Sequence, residues 1–424
     1  MKIYNYYILQ AILLVYLCLL STSFVYAETL FVVNSSSRTL SKIDTHTDVV
    51  INNFATLGNV PNKIVLDGNY LWSVNSGDNS LQKIDRQSGT TIAKILVANS
   101  SNPWDAVLHG ENLYVSGLFS GKVYRVNAQS GSVTGWVTVG TAPEALCVSG
   151  DKLYVSNAGN YSQDYAGSSV SVIDLPSFSL LATIPVNKNP QYLTLHNGLL
   201  HVSCTGNWAD IGGSICVVDT NTDAVVNTIP IGGGTGSIWI SPLNEALVAD
   251  SNGANLYRYN AMDFSVLNSS ANPLSSGGSE VCGSASFVAT LQPNWGDNGT
   301  VKILHPDLSY WKQYTVGLYP TDIKVYASPS PIQDEVQMPG LVLSASPNPV
   351  QSGQLLKLKA PFSLHAELKI YNLKGELLTK ENMNGSDMAF STKGLANGCY
   401  FYKLSGTDSQ SKSLFYTGKF VILK

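Results

Sequence analysis

Four short segments place aromatic rings beside carboxylates and carboxamides. They are Trp104 with Asp105, Asn160 and Tyr161 with Asp164 and Tyr165, Asn207 and Trp208 with Asp210, and Asn294 and Trp295 with Asp297. A ring can stack on a flat or sugar-like ligand while neighbouring Asp and Asn groups fix its orientation. The pattern therefore suits binding of a small molecule, a glycan or a protein. A long loop can also fold over and bury its own tryptophan, and an Asx side chain often only fixes a turn. On sequence alone both readings stay open. The tryptophans outside these segments fall in predicted strands, where core packing is expected.

Signatures of catalysis are sparse. The six histidines are His46, His109, His196, His201, His305 and His365, and none forms an H-E-x-x-H pattern. His196 and His201 could meet across a hairpin, where a surface pair is a better expectation than a metal site. Gly232 to Gly236 is glycine-rich but lacks the lysine of a phosphate-binding loop. No nucleophile elbow is present. The expectation is no catalytic residue, no metal and no cofactor. The cysteines lack C-x-x-C spacing. Beyond Cys18 they are Cys147, Cys204, Cys216, Cys282 and Cys399, an odd number that leaves at least one thiol unpaired in an exported chain. Cys204 and Cys216 flank one predicted hairpin loop, which makes them either a cross-strand disulfide or two buried thiols.

The elements that carry these segments repeat. A strand-like word recurs at Leu30–Asn34, Leu71–Asn75, Leu113–Gly117, Leu153–Asn157 and Leu200–Cys204, with weaker copies from Ala246 and Phe287. A second word follows each: Ile43-Asp44, Ile84-Asp85, Val126-Asn127, Ile173-Asp174, Val218-Asp219, Tyr259-Asn260 and a divergent Leu304-His305. A third carries Pro61, Pro103, Pro143, Pro190 or Pro320. Each repeat holds four short Val/Ile/Leu/Tyr-rich runs between turn residues, which predicts a four-stranded β-propeller blade. The chain enters on the second strand of the first blade, and 321–326 supplies that blade's missing inner strand. The fold class is all-β: a seven-bladed β-propeller followed by a small β-sandwich. A closed ring hides its own edges, so a monomer is expected.

The words Leu153–Asn157, Val170–Asp174 and Ala182–Val186 resemble the YVTN-type repeat family over about residues 29–328. That resemblance implies a seven-bladed propeller, often exported, in a family spanning surface proteins, binding proteins and a few dehydrogenases. Some surface propellers of Bacteroidota that are similar to it capture cobalamin, which makes a corrinoid one candidate ligand.

Composition agrees with a β-rich exported protein. The 424 residues are 44% hydrophobic and only 13% charged, with a net charge of −4. Ser, Thr, Asn and Gly suit turns and sheets better than long charged helices. Residues 28–340 carry a net −10, which argues against nucleic acid as a partner. Residues 1–27 have a basic Lys2, an apolar run from Ile8 to Leu20 and a small Ala27, the layout of a secretory signal peptide. Residues 329–340, with Pro329, Pro331, Pro339 and Gly340, read as a linker.

The last segment, 341–424, is Lys-rich with alternating strand patterns. Ser346–Pro349, Ile370–Gly375, Leu395–Gly398 with Tyr400, and Gly418–Lys424 resemble the C-terminal sorting domain of the type IX secretion system. The resemblance implies export through the periplasm and across the outer membrane, with the secretion machinery as a partner and a surface or secreted destination. The predicted divisions are 1–27 signal peptide, 28–328 propeller, 329–340 linker and 341–424 sorting domain. The predicted role is non-catalytic ligand binding through the face bearing Trp104, Asp105, Tyr161, Asp164, Tyr165, Trp208, Asp210, Trp295 and Asp297. Two alternatives remain: a metal-assisted hydrolase or lactonase using carboxylates such as Asp105 and Glu144 at the channel mouth, and an adhesion or structural module.

Overall fold

The computed structural model describes residues 28–327 apart from Ala254 and Trp295, and residues 344–423 apart from 373–376 and 409–412. The expected signal peptide and linker lie outside the described residues. The chain divides into two compact units, Met1–Ser328 and Pro329–Lys424.

In the first unit the described residues form seven four-stranded antiparallel sheets. Their first strands are Pro61–Asp67, Pro103–His109, Pro143–Ser149, Pro190–His196, Thr235–Ile240, Glu280–Gly283 and Pro320–Ala327. Each of these packs against the corresponding strand of the next sheet, and Pro320–Ala327 packs against both Glu280–Gly283 and Pro61–Asp67. The result is a closed, propeller-like ring with these strands innermost. Closure uses both ends of the unit: Pro320–Ala327 pairs antiparallel with Glu28–Asn34, from Glu28 opposite Ala327 to Asn34 opposite Pro320.

The repeated words have separate physical jobs. Residues in the first word lie on second strands and alternate between neighbouring sheets. Phe31, Val33 and Leu40 pack with Ile64, Leu71 and Ile84, for example. Burying apolar faces between sheets supplies the main stabilisation, at roughly 25 cal/mol per Å². The Asp or Asn of the second word caps the turn after the third strand. Asp44 Oδ1 accepts from the backbone N–H groups of His46 and Thr47 at 2.9 and 3.0 Å. Asp85 does the same for Gln87 and Ser88, and Asn127 for Gln129 and Ser130. These are Asx turns, which explains why Asp or Asn ends the word in the first six repeats. The backbone hydrogen bond from Thr47 to Asp44 and that from Ser88 to Asp85 hold both carboxyls below the usual range.

The proline word turns the chain inward. The residue before each proline has a left-handed backbone: Val60, Asn102, Ala142, Asn189 and Tyr319 all have φ between 47° and 60°. A residue before proline ordinarily prefers extended backbone, so this conformation is imposed by the fold five times over. A register shift follows just inside the strand, between Pro61 and Lys63, Pro103 and Ala106, Pro143 and Leu146, and Pro190 and Tyr192. Such bulges re-aim side chains. Here they bring the second residue after the proline to the central channel.

In the second unit the strands form one continuous sheet. The long strand Leu355–Tyr371 pairs with Leu377–Ser391 along its length and with Gly398–Asp408 over its second half. Leu356, Leu358, Leu368, Ile370, Phe390 and Phe420 share one core, so a single folded-over sheet does the work of two layers.

Candidate functional site

The inner strands surround a channel of about 760 Å³, within the size range of small-molecule sites. Ser35, Val60, Ser251 and Pro293, from connections between strands, line it at one face. Deeper, its wall carries Lys63, Asp105, Glu144, Glu280 and Lys324, with Trp104, Tyr192 and Trp239 as aromatic panels, and Asp322 is fully buried behind it.

Most of these charges are paired. Lys63 Nζ lies 2.7 Å from Glu280 Oε1 and 3.6 Å from Asp322 Oδ1. Its ammonium also sits 4.9 Å from the centre of the Tyr192 ring. Burial alone would pull the Lys63 pKa down, but Glu280 and Asp322 more than offset this and hold it well above the lysine value. Lys324 reaches Asp322 at 2.9 Å. Burial would raise the Asp322 carboxyl, but Lys324 and Lys63 keep it below the ordinary value.

Asp105 and Glu144 differ. Asp105 accepts only backbone N–H groups, from Ala106 at 2.8 Å and Leu146 at 3.1 Å. Desolvation in the channel pushes its pKa up, against the pull of Lys63 and Lys324. Glu144 is only 7% exposed. Burial pushes its carboxyl up to about 8; Asp105 adds to the rise and Lys63 opposes it.

The loop aromatics form a second feature. Tyr161 and Trp208 are 74% and 49% exposed. They sit on the long loops after Lys152–Asn157 and Leu199–Cys204. Tyr161 meets Tyr165 edge to face, with ring centres 5.5 Å apart. Tyr165 is buried beneath it and is hydrogen-bonded to Trp208. The Trp208 indole lies over Gly234, where an added Cβ would come within 3.0 Å of the ring. Asp164 pairs with Lys188 and accepts from Asn207 Nδ2 at 3.0 Å, and the same nitrogen donates to Asp210 Oδ1 at 2.9 Å. This network ties the two loops together. Asn207 Oδ1 also accepts from the backbone N–H groups of Ala209 and Ile211.

The nine expected binding residues therefore divide. Tyr161, Asp164, Tyr165, Trp208 and Asp210 come together. Trp104 and Asp105 are not on a loop: they belong to the inner strand Pro103–His109 and line the channel. Asp297 is exposed on a separate loop, and Trp295 lies outside the described residues. Expected core packing of the remaining tryptophans holds for Trp72 and in part for Trp239, which packs against the cluster that includes Leu247 and Val281. Trp136 and Trp311 are exposed on outer strands, and Trp239 faces the channel.

Cys204 and Cys216 are free thiols, not the expected disulfide alternative. Cys204 lies opposite Ser214, and Cys216 opposite Val202. The pair is thus diagonal across the strands, with sulfurs 3.9 Å apart and both side chains buried. The side chain of Cys399 is outside the description. His196 and His201 do not join; His201 Nδ1 pairs with Tyr259 Oη at 2.7 Å and His196 Nε2 with Asn244 at 2.7 Å. Among the described residues no three His, Cys, Asp or Glu side chains could jointly hold a metal ion.

Residues 344–422 match the family model for the secretion system C-terminal sorting domain. The tail is an export address. It directs the chain through the type IX secretion machinery, to the cell surface or the medium. No curated protein matches the chain. Among solved structures, Kuenenia stuttgartiensis hydrazine synthase superposes with a TM-score of 0.51 at 16% identity, covering 63% of this chain and 96% of that one. The computationally designed Ika8 protein gives a TM-score of 0.47 at 12% identity, over 84% of this chain and 95% of its own. The first likeness concerns the fold alone.

Sequence reasoning missed Lys63, Tyr192, Glu280 and Lys324 as channel residues, and Asp322 as the buried acid that pairs with both lysines. A signal was available. Two residues past each repeat's proline, or past the residue in its place, stand Lys63, Asp105, Ala145, Tyr192, Ser237, Glu280 and Asp322, all but Ala145 polar or charged within apolar surroundings.

Proposed function

We propose that this exported propeller captures a ligand at the face bearing Tyr161, Trp208, Asp164 and Asp210, and does no chemistry on it. The seven sheets are read as its seven blades, residues 28–328 as a YVTN-type propeller, 1–27 as a signal peptide, 329–340 as a linker and 341–424 as the sorting domain. This combination fits a surface or secreted protein of Bacteroidota. The observation that carries the reading is the exposure of Tyr161 and Trp208 on two loops locked together by the Asp164–Lys188–Asn207–Asp210 network. Exposed aromatic side chains held rigidly lose little entropy on binding, and the polar groups between them can orient a ligand. A ring-bearing small molecule such as a corrinoid, a glycan or a protein loop fits this chemistry.

Titration of tryptophan fluorescence in the whole exported chain tests the reading, with cobalamin, haem, oligosaccharides and Ca²⁺ as probes. Saturable quenching by one probe, lost in Trp208→Ala while the melting temperature holds, supports it. Quenching unaffected by Trp208→Ala and by Tyr161→Ala, or no quenching by any probe, overturns small-ligand capture at this face and leaves adhesion. A hydrolase reading draws on Glu144, whose raised pKa suits a general acid. Ester or lactone turnover abolished in Glu144→Gln would favour it.

A further inference from the structure

The channel holds one buried acid that the protein leaves unused. Glu144 is 7% exposed and lines the channel wall. Among the described residues its carboxylate has no hydrogen-bond partner and no ion pair; only its backbone carbonyl is engaged, accepting from Ser116 Oγ at 2.6 Å. A buried carboxyl without a partner is costly, and native structures rarely keep one without a reason.

We propose that the channel is a second binding site, for a small organic ammonium ion seated between the Glu144 carboxylate and the Trp104 indole, with Asp105 behind them. Three observations converge. First, charge: the wall carries three acids, Asp105, Glu144 and Glu280, against two lysines, with a fourth acid, Asp322, buried behind it. Lys63 and Lys324 are spent on Glu280 and Asp322, so the surplus is Asp105 and Glu144. Second, placement: Trp104 and Glu144 each follow the proline that opens an inner strand, in neighbouring sheets whose inner strands touch. An indole panel and a carboxylate thus stand at the same level. Third, internal precedent: the channel already holds one ammonium this way. Lys63 Nζ meets the Glu280 carboxylate and the face of Tyr192. A carboxylate with an aromatic face is the recurring receptor for organic ammonium groups. Anionic ligands are disfavoured by the surplus acids. This site is separate from the loop face and does not rest on it.

Binding has a proton balance. The groups acting on Glu144 are Asp105 and Tyr192 from the two neighbouring inner strands, Lys63 from the strand beyond Asp105 and the Tyr165 hydroxyl from the loop above. Burial outweighs the pull of Lys63 and leaves the carboxyl protonated near neutral pH. Ammonium binding therefore displaces one proton from Glu144 to solvent, and affinity rises with pH until the carboxyl is ionised.

The test is calorimetric titration of the full exported chain with n-butylammonium and spermidine, and with n-butanol as the neutral isostere, at pH 6, 7 and 8. The expected result is ammonium binding that tightens roughly tenfold per pH unit up to about pH 8, with one proton released. Glu144→Gln is expected to lose at least tenfold in affinity and the pH dependence. Glu144→Asp keeps both in part, which guards against a folding defect. Failure of both ammonium probes at pH 8, equal binding of n-butanol, or unchanged binding in Glu144→Gln overturns the proposal. None of these outcomes bears on capture at Trp208.

Discussion

Asp322 Oδ2 accepts the backbone N–H of Ile64 at 2.9 Å, across 258 residues of sequence. The bond joins the strand that completes the first sheet to the inner strand of the next. It is one instance of a rule. Asp105 Oδ2 accepts from Leu146 N at 3.1 Å, and Ser237 Oγ from Val281 N at 2.8 Å. In each case the acceptor is two residues past the strand's opening position and the donor lies one step deeper in the next sheet. The bulge exposes an inner-strand N–H to its neighbour, and a short polar side chain satisfies it.

Asp322 carries more than that bond, because Lys63 and Lys324 both rest on it. Asp322→Ala leaves the Ile64 N–H and part of two ammonium groups uncompensated at ring closure. The expected loss is about 3–5 kcal/mol, as when one partner of a buried pair is removed. Urea unfolding followed by far-ultraviolet circular dichroism reads it directly. Asp322→Asn keeps an acceptor for Ile64 and is expected to fall between wild type and alanine.

Val60 is the β-branched member of the left-handed pre-proline set, with φ at 48° and its side chain half exposed. Asn102 and Asn189 occupy the same conformation in other sheets, and asparagine tolerates it far better than valine. Val60→Asn is therefore expected to stabilise the propeller by about 1 kcal/mol. Its thermal midpoint should rise; an unchanged or lowered midpoint would show that the valine side chain supplies compensating contacts.

Sequence periodicity revealed the sheets because each word has one local cause. The apolar alternation of Leu153–Asn157 faces two neighbouring sheets, and Asp174 caps its turn by accepting from Ser177 N at 2.8 Å. The loop cluster was partly legible, since Tyr161 and Trp208 are too large and too polar in context for their loops to absorb. The channel was not. Lys63, Glu280 and Asp322 meet from residues 63 to 322, and only ring closure brings them together. Trp104 was misplaced for a related reason: it stands beside a proline and two residues from Asn102, which reads as loop until the bulge is seen to put it inside a strand.

The Cys204–Cys216 pair gives a chemical prediction. Cys204 donates to Cys216, and that hydrogen bond lowers the Cys216 thiol to about 7, while burial raises Cys204 well above the ordinary value. Reactivity also needs access, and each residue is only 1% exposed. Both are expected to resist a bulky maleimide in the folded protein and to label fully in denaturant without reductant. Mass spectrometry counts the adducts. Two missing adducts under denaturing conditions would show that the pair oxidises to a disulfide during export.

Glu144 predicts the pH dependence of stability. Its folded pKa is about 8 against 4.5 for the ordinary carboxyl. The folded state therefore holds this proton more tightly than the unfolded state does. Below about pH 4.5 both states are protonated and the group contributes nothing. Between 4.5 and 8 the unfolded state ionises while the folded state does not, and stability falls with rising pH, by at most about 1.4 kcal/mol per unit. Above 8 both states are ionised and the penalty is constant. Glu144→Gln cannot ionise and escapes the penalty. The variant is expected to match wild type near pH 4.5 and to be more stable by a few kcal/mol at pH 8, with the gap opening steadily between. Paired urea titrations across that range measure the gap. A gap that is constant with pH would mean that Glu144 ionises at its ordinary value in the folded channel, through water or a cation that reaches its carboxylate. Repeating the titrations with saturating spermidine separates those causes, because a cation bound at Glu144 would stabilise wild type over the variant and water would leave the two unchanged.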